Sequence, residues 1–405
     1  MTPSLRHLRV FLAVLDQGTI TAAARACNIS QPAASQALAR LESEAGVALI
    51  HHGREAAGPT EAGRAYGLRV RRALGRLDAA LTTLAPRLVL TATRAQLTAL
   101  IAVRDAENFT LAAQRLGLSQ PTVHRAVTQL ESEAGRPLFH RAGKRMQPAR
   151  AAQALADAAR LCFRELEQAA AELAELSGRE AGRIVIGAMP LSRSIVLPRV
   201  IAEFRRLRPT MPVAVLDGPY DDLLAGLRRG EIDLLIGALR DPAPVADVVQ
   251  QALFTDDLVL VARPGHPLVG HAVPDLAALA RHPWVLPPEG TPSRAHFERF
   301  MAPLPAGARP AIIESSSPIL MRELLGMTDH IGCISRLQAG AEIALGALKP
   351  LAVRLPGSMR PIGITLRQDW LPTAAQDQVV AILRQVGQGL GQAAGLATGP
   401  SATAT

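Results

Sequence analysis

The sequence predicts a multidomain protein with an all-α N-terminal half, which carries two copies of a helix-turn-helix unit, and a C-terminal α/β half. The chain has 405 residues, of which 48% are hydrophobic and 20% are charged. It is therefore too long for one ordinary domain and apolar enough to form large cores. An internal repeat lies in the first half only, and alternating strand and helix patterns begin near residue 182.

The repeat has an offset of 89 residues. Ser30 to Gly46 reads SQPAASQALARLESEAG, and Ser119 to Gly135 reads SQPTVHRAVTQLESEAG. Ten of these 17 positions are identical. Because a solenoid needs at least about three copies, two copies indicate a duplicated domain.

Both copies show the same succession of local patterns. An apolar helix is followed by a short alanine-rich helix and then by a tight turn at Asn28 or Gly117, two residue types suited to a left-handed backbone. Ser30 or Ser119 then caps a new helix with proline in its first turn. This order of helices and turn predicts a helix-turn-helix.

The capped helix has a polar outer face on which glutamine and arginine side chains are able to pair with purines in a major groove. The predicted DNA-binding residues are Ser30, Gln31, Pro32, Ala33, Ser35, Gln36 and Arg40 in the first copy, and Ser119, Gln120, Pro121, Thr122, His124, Arg125 and Gln129 in the second. A solvated polar face in an all-α domain is the alternative interpretation, and the pattern by itself leaves it open.

Charge and composition favour a nucleic-acid-binding N-terminal half. Residues 1–178 contain 22 basic and 15 acidic side chains, whereas residues 179–405 contain 22 and 20. The three cysteines lie far apart without metal spacing, and neither a signal peptide nor a run of about 18 apolar residues is evident. We expect a cytoplasmic protein with no membrane association, no metal site, no cofactor and no catalytic residues.

The C-terminal half alternates strands and helices, which indicates α/β layers with ligands at the carboxyl ends of the strands. The predicted strands are 183–188, 213–216, 233–237, 257–262, 312–314 and 361–366, and the predicted helices are 194–207, 220–228, 294–300, 317–325 and 374–386. Hydroxyls and arginine at the starts of helices are suited to a small anion. The predicted effector-binding residues are Ser192, Arg193, Thr291, Ser293, Ser315 and Ser316, with plain helix capping as the alternative for each.

Several motifs resemble those of the LysR-type transcriptional regulators. The second copy has Ser-Gln-Pro at 119–121, Leu130-Glu131, Gly135 and Leu-Phe-His-Arg at 138–141. The C-terminal half has GRIVIGAMPLSRSIVLP at 182–198, GEIDLLIG at 230–237 and RPGHPL at 263–268. The resemblance implies winged helix-turn-helix units, with Arg141 in the wing as a further DNA contact, and a two-lobed effector domain folded like a periplasmic binding protein.

The resemblance also implies domain limits. These are a first winged helix-turn-helix at 1–63, a linker helix at 64–92, a second winged helix-turn-helix at 93–150, a linker and dimerisation helix at 151–178, effector lobe I at 182–262 with 358–394, lobe II at 263–357, and a disordered tail at 395–405. In the family, the linker helix pairs with that of a second subunit. Arginines on the polar side of the first linker helix, Arg64, Arg69, Arg71, Arg72 and Arg76, either contact phosphate or form a solvated face.

Both copies depart from the family pattern. The first has Leu-Ile-His-His at 49–52 where Leu-Phe-x-Arg is expected, and the second has Ala149 and Ala152 in place of threonine and glycine. The second also has His124 where the first has Ser35. The sequence therefore leaves open whether both copies read DNA.

The leading hypothesis is a DNA-binding regulator that binds double-stranded DNA and a small-molecule effector, a carboxylate or a sugar derivative, as a homodimer or homotetramer that contacts RNA polymerase. A small-molecule-binding protein of the periplasmic type, without DNA function, is the main alternative. An α/β enzyme is a third possibility, but the sequence has neither a nucleophile elbow nor a glycine-rich phosphate loop.

Overall fold

A computed structural model describes residues 3–52, 57–143, 145–270, 273–305, 307 and 309–397. The chain divides into two compact units. The N-terminal unit comprises residues up to Arg183 together with Arg229–Glu231, and the C-terminal unit comprises the remainder.

The N-terminal unit contains two segments with the same order of elements. Each has three helices, a two-stranded antiparallel sheet and a long helix. The first segment consists of α1 (Leu5–Gln17), α2 (Ile20–Ala26), α3 (Gln31–Ala45), β1 (Ile50–His52), β2 (Ala57–Pro59) and α4 (Glu61–Leu84). After the short α5 (Leu88–Thr91), the second consists of α6 (Arg94–Ala106), α7 (Phe109–Leu116), α8 (Gln120–Ala134), β3 (Phe139–Ala142), β4 (Arg145–Pro148) and α9 (Arg150–Leu176).

The turns before α3 and α8 adopt the predicted backbone. Asn28 has φ of 53° and Gly117 has φ of 65°, so both occupy the left-handed region. The hydroxyls of Ser30 and Ser119 each accept a hydrogen bond from the backbone N–H three residues on, at 3.4 Å. The short helix, turn and capped helix predicted in each copy are therefore confirmed.

The two long helices, α4 and α9, pack against each other within the same chain. The pairing of 151–178 with a second subunit stays a prediction. Arg69 was placed on the polar side of α4, but its side chain is only 1% exposed and bonds Glu165 at 2.9 Å and Glu172 at 2.5 Å. The spacing of residues on α4 does not show which side of that helix packs against α9. In sequence, an arginine that faces two carboxylates of a neighbouring helix therefore resembles a surface residue.

The starts of the two long helices differ in how closely they approach the strand before them. A Cβ atom added at Gly63 of α4 would lie 1.9 Å from the backbone oxygen of Leu49. Thr60 closes this junction, because its hydroxyl donates to the Ala48 oxygen at 2.8 Å and accepts from the Gly63 N–H at 2.9 Å. In the second segment a buried alanine, Ala152, stands where Gly63 stands in the first.

Within the described residues, the C-terminal unit contains two five-stranded sheets. The first has the order β6-β5-β7-β14-β8 and the second has the order β11-β10-β12-β9-β13. The strands are β5 (Ile184–Ala188), β6 (Val213–Leu216), β7 (Leu234–Ala238), β8 (Val248–Asp256), β9 (Leu258–Ala262), β10 (Trp284–Leu286), β11 (Ile312–Glu314), β12 (Ile331–Ser335), β13 (Lys349–Pro350) and β14 (Arg360–Arg367).

A π-helical turn at Ser192–Val196 precedes the helices of this unit, which cover the two sheets. The helices are α10 (Leu197–Leu207), α11 (Tyr220–Arg228), α12 (Leu276–Ala280), α13 (Pro292–Met301), α14 (Pro318–Met327), α15 (Arg336–Ala344) and α16 (Ala374–Ala397). Each sheet has its own buried apolar clusters.

The predicted limits of the two lobes need one correction. β9, expected in lobe I, pairs with β12 and β13 and so belongs to the second sheet. The chain passes between the sheets at Asp256 and Asp257 instead of after Ala262. A fully buried strand has the same apolar pattern in either sheet, so the sequence could not assign it.

Four strands and two helices of the C-terminal unit were not predicted: β8, β10, β12, β13, α12 and α15. Most are short, and β8 mixes buried, half-buried and exposed residues without a regular alternation. At the other end, α16 extends three residues into the segment 395–405 that was expected to be disordered, and residues 398–405 lie outside the described part of the chain. No described helix is both long and apolar enough to cross a bilayer.

We expect Gly63→Ala to destabilise the N-terminal unit by about 1–3 kcal/mol, because the added methyl group must displace backbone at Leu49. Gly75→Ala on the same helix is the matched control, since a Cβ atom there would meet nothing within 4 Å. That change should stabilise the helix by about 0.5–1 kcal/mol. Thermal unfolding of both variants measures the difference, and equal shifts would contradict the close approach.

Candidate DNA-binding and effector sites

The outer faces of α3 and α8, the two helices predicted to read DNA and called the reading helices below, are open to solvent. Every predicted DNA-binding residue is exposed except Ser35, which is half-buried. Arg141 is likewise exposed on β3. The opposite faces are buried, through Ala34, Leu38 and Leu41 in α3 and through Val123, Val127 and Leu130 in α8. Packing of the apolar face against α1 and α2, or α6 and α7, therefore leaves the polar face available to a partner.

The two reading helices differ where Ser35 in one corresponds to His124 in the other. In α3, the Gln31 side-chain amide donates to the Ser35 hydroxyl at 3.2 Å. In α8, the His124 ring lies against Phe109, with ring centroids 5.1 Å apart, and Phe109 in turn contacts Phe139 at the wing. The sequence pattern did not indicate that His124 continues an aromatic cluster.

A glutamate connects each reading helix to its wing. The Glu42 carboxylate accepts from the backbone N–H groups of Leu49 and Ile50, at 2.8 and 3.0 Å. Glu131 accepts in the same way from Leu138 and Phe139, at 2.7 and 3.2 Å. Sequence reasoning missed this role, although the identical Leu-Glu-Ser-Glu-Ala-Gly run in both copies was the available signal.

The C-terminal unit has a cavity of about 490 Å³ at the carboxyl ends of strands from both sheets. Five of the six predicted effector-binding residues line it: Arg193, Thr291, Ser293, Ser315 and Ser316. The hydroxyls of Thr291 and Ser315 also cap or bridge backbone at the starts of α13 and α14.

Ser192 is the exception, and its predicted place in the effector site is wrong in this structure. The residue is fully buried and does not line the cavity, because the π-helical turn directs it inward and its neighbour Arg193 outward. Among the described residues its hydroxyl has no hydrogen-bond partner. Strand-to-helix spacing identified the loop correctly, but it could not show which of two adjacent side chains points to the cavity.

Three arginines bring positive charge to the cavity wall, and two of them were not predicted. Arg193 forms an ion pair with Asp217 at 2.6 Å, and Arg360 forms one with Asp256 at 3.2 Å. Arg240 instead lies over the Tyr220 ring, 4.3 Å from its centroid, and has no carboxylate partner among the described ion pairs. Its position two residues after β7, at the carboxyl end of a strand, is the signal that could have identified it.

Burial changes the ionisation of groups at this cavity. Burial raises the pKa of Asp256, and the neighbouring Arg360 guanidinium opposes that rise. Burial likewise raises the pKa of Tyr220, and it raises the pKa of Cys333 to about 12. The phenol and the thiol are therefore neutral near pH 7.

Two family models match the chain. The model of the bacterial regulatory helix-turn-helix protein, lysR family, matches residues 5–64 and 95–153. The model of the LysR substrate binding domain matches residues 177–388, which is more than half of the chain. The matches fall on both segments of the N-terminal unit and on most of the C-terminal unit.

Similar proteins of known name are transcriptional regulators. The regulator GalR of Pseudomonas putida is 31% identical over 389 residues, which cover 95% of this chain and 97% of that protein. The regulator PcaQ of Agrobacterium fabrum is 27% identical, over 68% of this chain and 88% of that protein. The chain is therefore longer than PcaQ and similar in length to GalR.

Solved structures share the fold at low sequence identity. ArgP from Mycobacterium tuberculosis superposes with a TM-score of 0.55 at 19% identity, covering 73% of this chain and 97% of that one. Full-length CbnR in complex with its target DNA gives a TM-score of 0.50 at 20% identity, covering 72% and 98%. These likenesses concern the fold alone.

Glu42→Ala should release the β1 strand from α3, because the backbone N–H groups of Leu49 and Ile50 lose a charged acceptor. A hydrogen bond to a charged group contributes about 1.5–3 kcal/mol to stability. Glu44→Ala, two residues away, is the control, since the Glu44 carboxylate forms an ion pair with Arg40 on the exposed side of the same helix. Hydrogen exchange at Leu49 and Ile50 should accelerate in the first variant only. Equal protection in both variants would refute the anchoring role.

Proposed function

The chain belongs to the LysR family of bacterial DNA-binding transcriptional regulators, and from this premise we propose that both of its N-terminal segments are winged helix-turn-helix units that bind DNA. The protein is a transcriptional regulator with an effector-binding domain. The finer assignments concern which helices read DNA and which side chains bind the effector.

The observation that carries the proposal of two DNA-binding units is the matched exposure of α3 and α8. Each begins at a capping serine, presents glutamine and arginine to solvent and buries its apolar face. The similarity to GalR extends over nearly the whole of both chains, so that protein has a corresponding length of N-terminal sequence. The Ser-Gln-Pro start is identical in both helices, and each helix presents glutamine and arginine on its exposed face, which supports a shared role for the two faces.

The reading residues differ between the units, so we propose that they recognise different bases. Gln36 and Arg40 are the candidate base contacts of α3, and Arg125 and Gln129 are those of α8. Arginine favours guanine and glutamine favours adenine in the major groove. Arg141 at the wing of the second unit contacts phosphate in this proposal, which positions the unit without sequence preference.

For the C-terminal unit we propose a small anionic effector, a carboxylate, bound at Arg240. A cavity of about 490 Å³ lies in the range of about 300–1,000 Å³ that is typical of small-molecule sites. The Tyr220 ring and several prolines supply apolar surface, and Thr291, Ser293 and Ser315 supply hydroxyls. Effector binding across the two sheets would change their relative position and so the contacts of the regulator with DNA and RNA polymerase.

A gel-shift assay with the full-length protein on the intergenic region beside its own gene tests the DNA-binding proposal. We expect specific retardation at moderate salt, with a steep fall in affinity as salt rises, because phosphate contacts release counterions. Folded protein that shows no specific complex would favour a small-molecule-binding protein without DNA function. The cavity of the C-terminal unit alone would be compatible with that alternative.

We expect Arg125→Ala and Arg40→Ala each to weaken specific binding by about 10- to 100-fold, because a paired contact to a base accounts for about 1–3 kcal/mol. Arg206→Ala removes the same charge from the exposed side of α10, where the residue pairs with Glu203, and is the control. Fluorescence anisotropy with the native operator and a scrambled duplex measures the specific component. An equally large loss of affinity in the Arg206→Ala control would show that the effect comes from net charge alone.

Arg240→Gln should abolish thermal stabilisation by carboxylate ligands, because a neutral amide cannot balance a buried carboxylate. The measurement is a shift in Tm across a panel of aromatic and aliphatic carboxylates, with the corresponding amides as uncharged probes. Arg322→Gln is the control, since Arg322 is exposed on α14 and pairs with Glu323 and Glu342. If carboxylates still stabilise the Arg240→Gln variant, Arg240 does not bind the effector.

A further inference from the structure

We propose that one chain holds both halves of a DNA-reading pair. In this proposal α4 and α9 join the two helix-turn-helix units in opposite orientations, so that a single polypeptide binds two half-sites arranged as an inverted repeat. The inference rests on the proposed function, in which both reading helices bind DNA. Beyond that function, it specifies how the two units are arranged and how many chains are needed to bind a bipartite site.

The first argument is the direction of α4 relative to α9. Arg69, near the start of α4, bonds Glu172 near the end of α9. Arg72, one turn later, lies 3.4 Å from Glu165, one to two turns earlier on α9. The two helices therefore run antiparallel.

The second argument is that this pairing is a buried interface. Leu74, Leu77 and Leu81 of α4 belong to the same continuous apolar core as Leu155, Leu166 and Leu173 of α9. The core also includes α1 to α3 and α6 to α8, so both units are anchored to the pair. Burial lowers the pKa of the Arg69 guanidinium, and its bonds to Glu172 and Glu165 outweigh that effect, so the pKa is raised and the ion pair persists in the core.

The third argument is that each long helix reaches toward the reading helix of the other unit. Near the end of α4, the Thr83 carbonyl accepts from Arg136, in the turn that follows α8. Beyond the end of α9, the Arg179 guanidinium lies 3.7 Å from the place of a Cβ atom on Gly46, in the turn that follows α3. These contacts are reciprocal, as expected when two similar units are related by an approximate two-fold axis.

An approximate two-fold relation places two reading helices so that they meet DNA strands of opposite polarity, which is the requirement of an inverted repeat. Because the units are in one chain, binding of the first raises the effective concentration of the second at its half-site, without a concentration-dependent assembly step. The shared core also fixes the distance between the units. The chain should therefore accept only a narrow range of half-site spacings.

The test begins with selection of random duplexes by the full-length protein. We expect a bipartite inverted sequence whose halves differ, because the reading residues of α3 and α8 differ. Reversing one half-site, or inserting about five base pairs between the halves to rotate one by half a helical turn, should reduce affinity at least about tenfold. Equal affinity for the inserted duplex would show that the units are flexibly tethered and would overturn the proposal.

The second arm asks whether both readers must be in the same chain. One full-length variant carries Gln36→Ala with Arg40→Ala, and the other carries Arg125→Ala with Gln129→Ala. Each should lose protection of one half-site in a footprint, and the halves lost should differ. A mixture of the two variants should protect no more of the site than each variant protects by itself. The reason is that intact reading helices in different chains are not joined through α4 and α9.

The outcomes separate the two proposals. Restored protection of the whole site by the mixture would mean that readers from two chains cooperate, which would overturn the in-chain pair and leave the DNA-binding proposal intact. Absence of any footprint with the unaltered protein would overturn the DNA-binding proposal itself. A footprint that the α3 variant leaves unchanged would overturn both the role of the first unit and the in-chain pair.

Discussion

The buried contact between Arg69 of α4 and the carboxylates Glu165 and Glu172 of α9 determines how the N-terminal unit is assembled. An ion pair taken out of water gains little net free energy, but leaving one partner unpaired costs about 3–5 kcal/mol. The contact therefore specifies the register of the two helices more than it adds stability. Because both N-terminal segments share their apolar core with this pair, their placement follows from it.

Around that pair, two segments with the same order of elements differ in detail. Both retain the glutamate that anchors the wing and the serine that caps the reading helix. They differ at the junction with the long helix, where Gly63 permits a close approach to Leu49 and the buried Ala152 stands at the corresponding position of the second segment. The order of elements is thus repeated, while the exposed side chains of α3 and α8 differ.

The C-terminal unit depends on a different constraint, the passage of the chain between two sheets. The crossing at Asp256 and Asp257 places strand ends from both sheets around one cavity. Asp256 is buried there with Arg360, while Arg240 rests on Tyr220. Arg193 and Arg360 of the cavity wall are thus paired with carboxylates of the protein, whereas Arg240 has no carboxylate partner among the described residues.

The sequence by itself determined what depends on local patterns: the repeat, the capped reading helices, the turns at Asn28 and Gly117, most long elements, and five of the six cavity residues proposed from strand ends. These features depend on neighbours within a few residues, which the spacing of side chains records. Tertiary structure alone decided that Arg69 is buried, that Ser192 faces inward, that β9 belongs to the second sheet, and that α9 pairs with α4 of the same chain. Each of these depends on which distant surface a residue meets, and identical local patterns are compatible with more than one such partner.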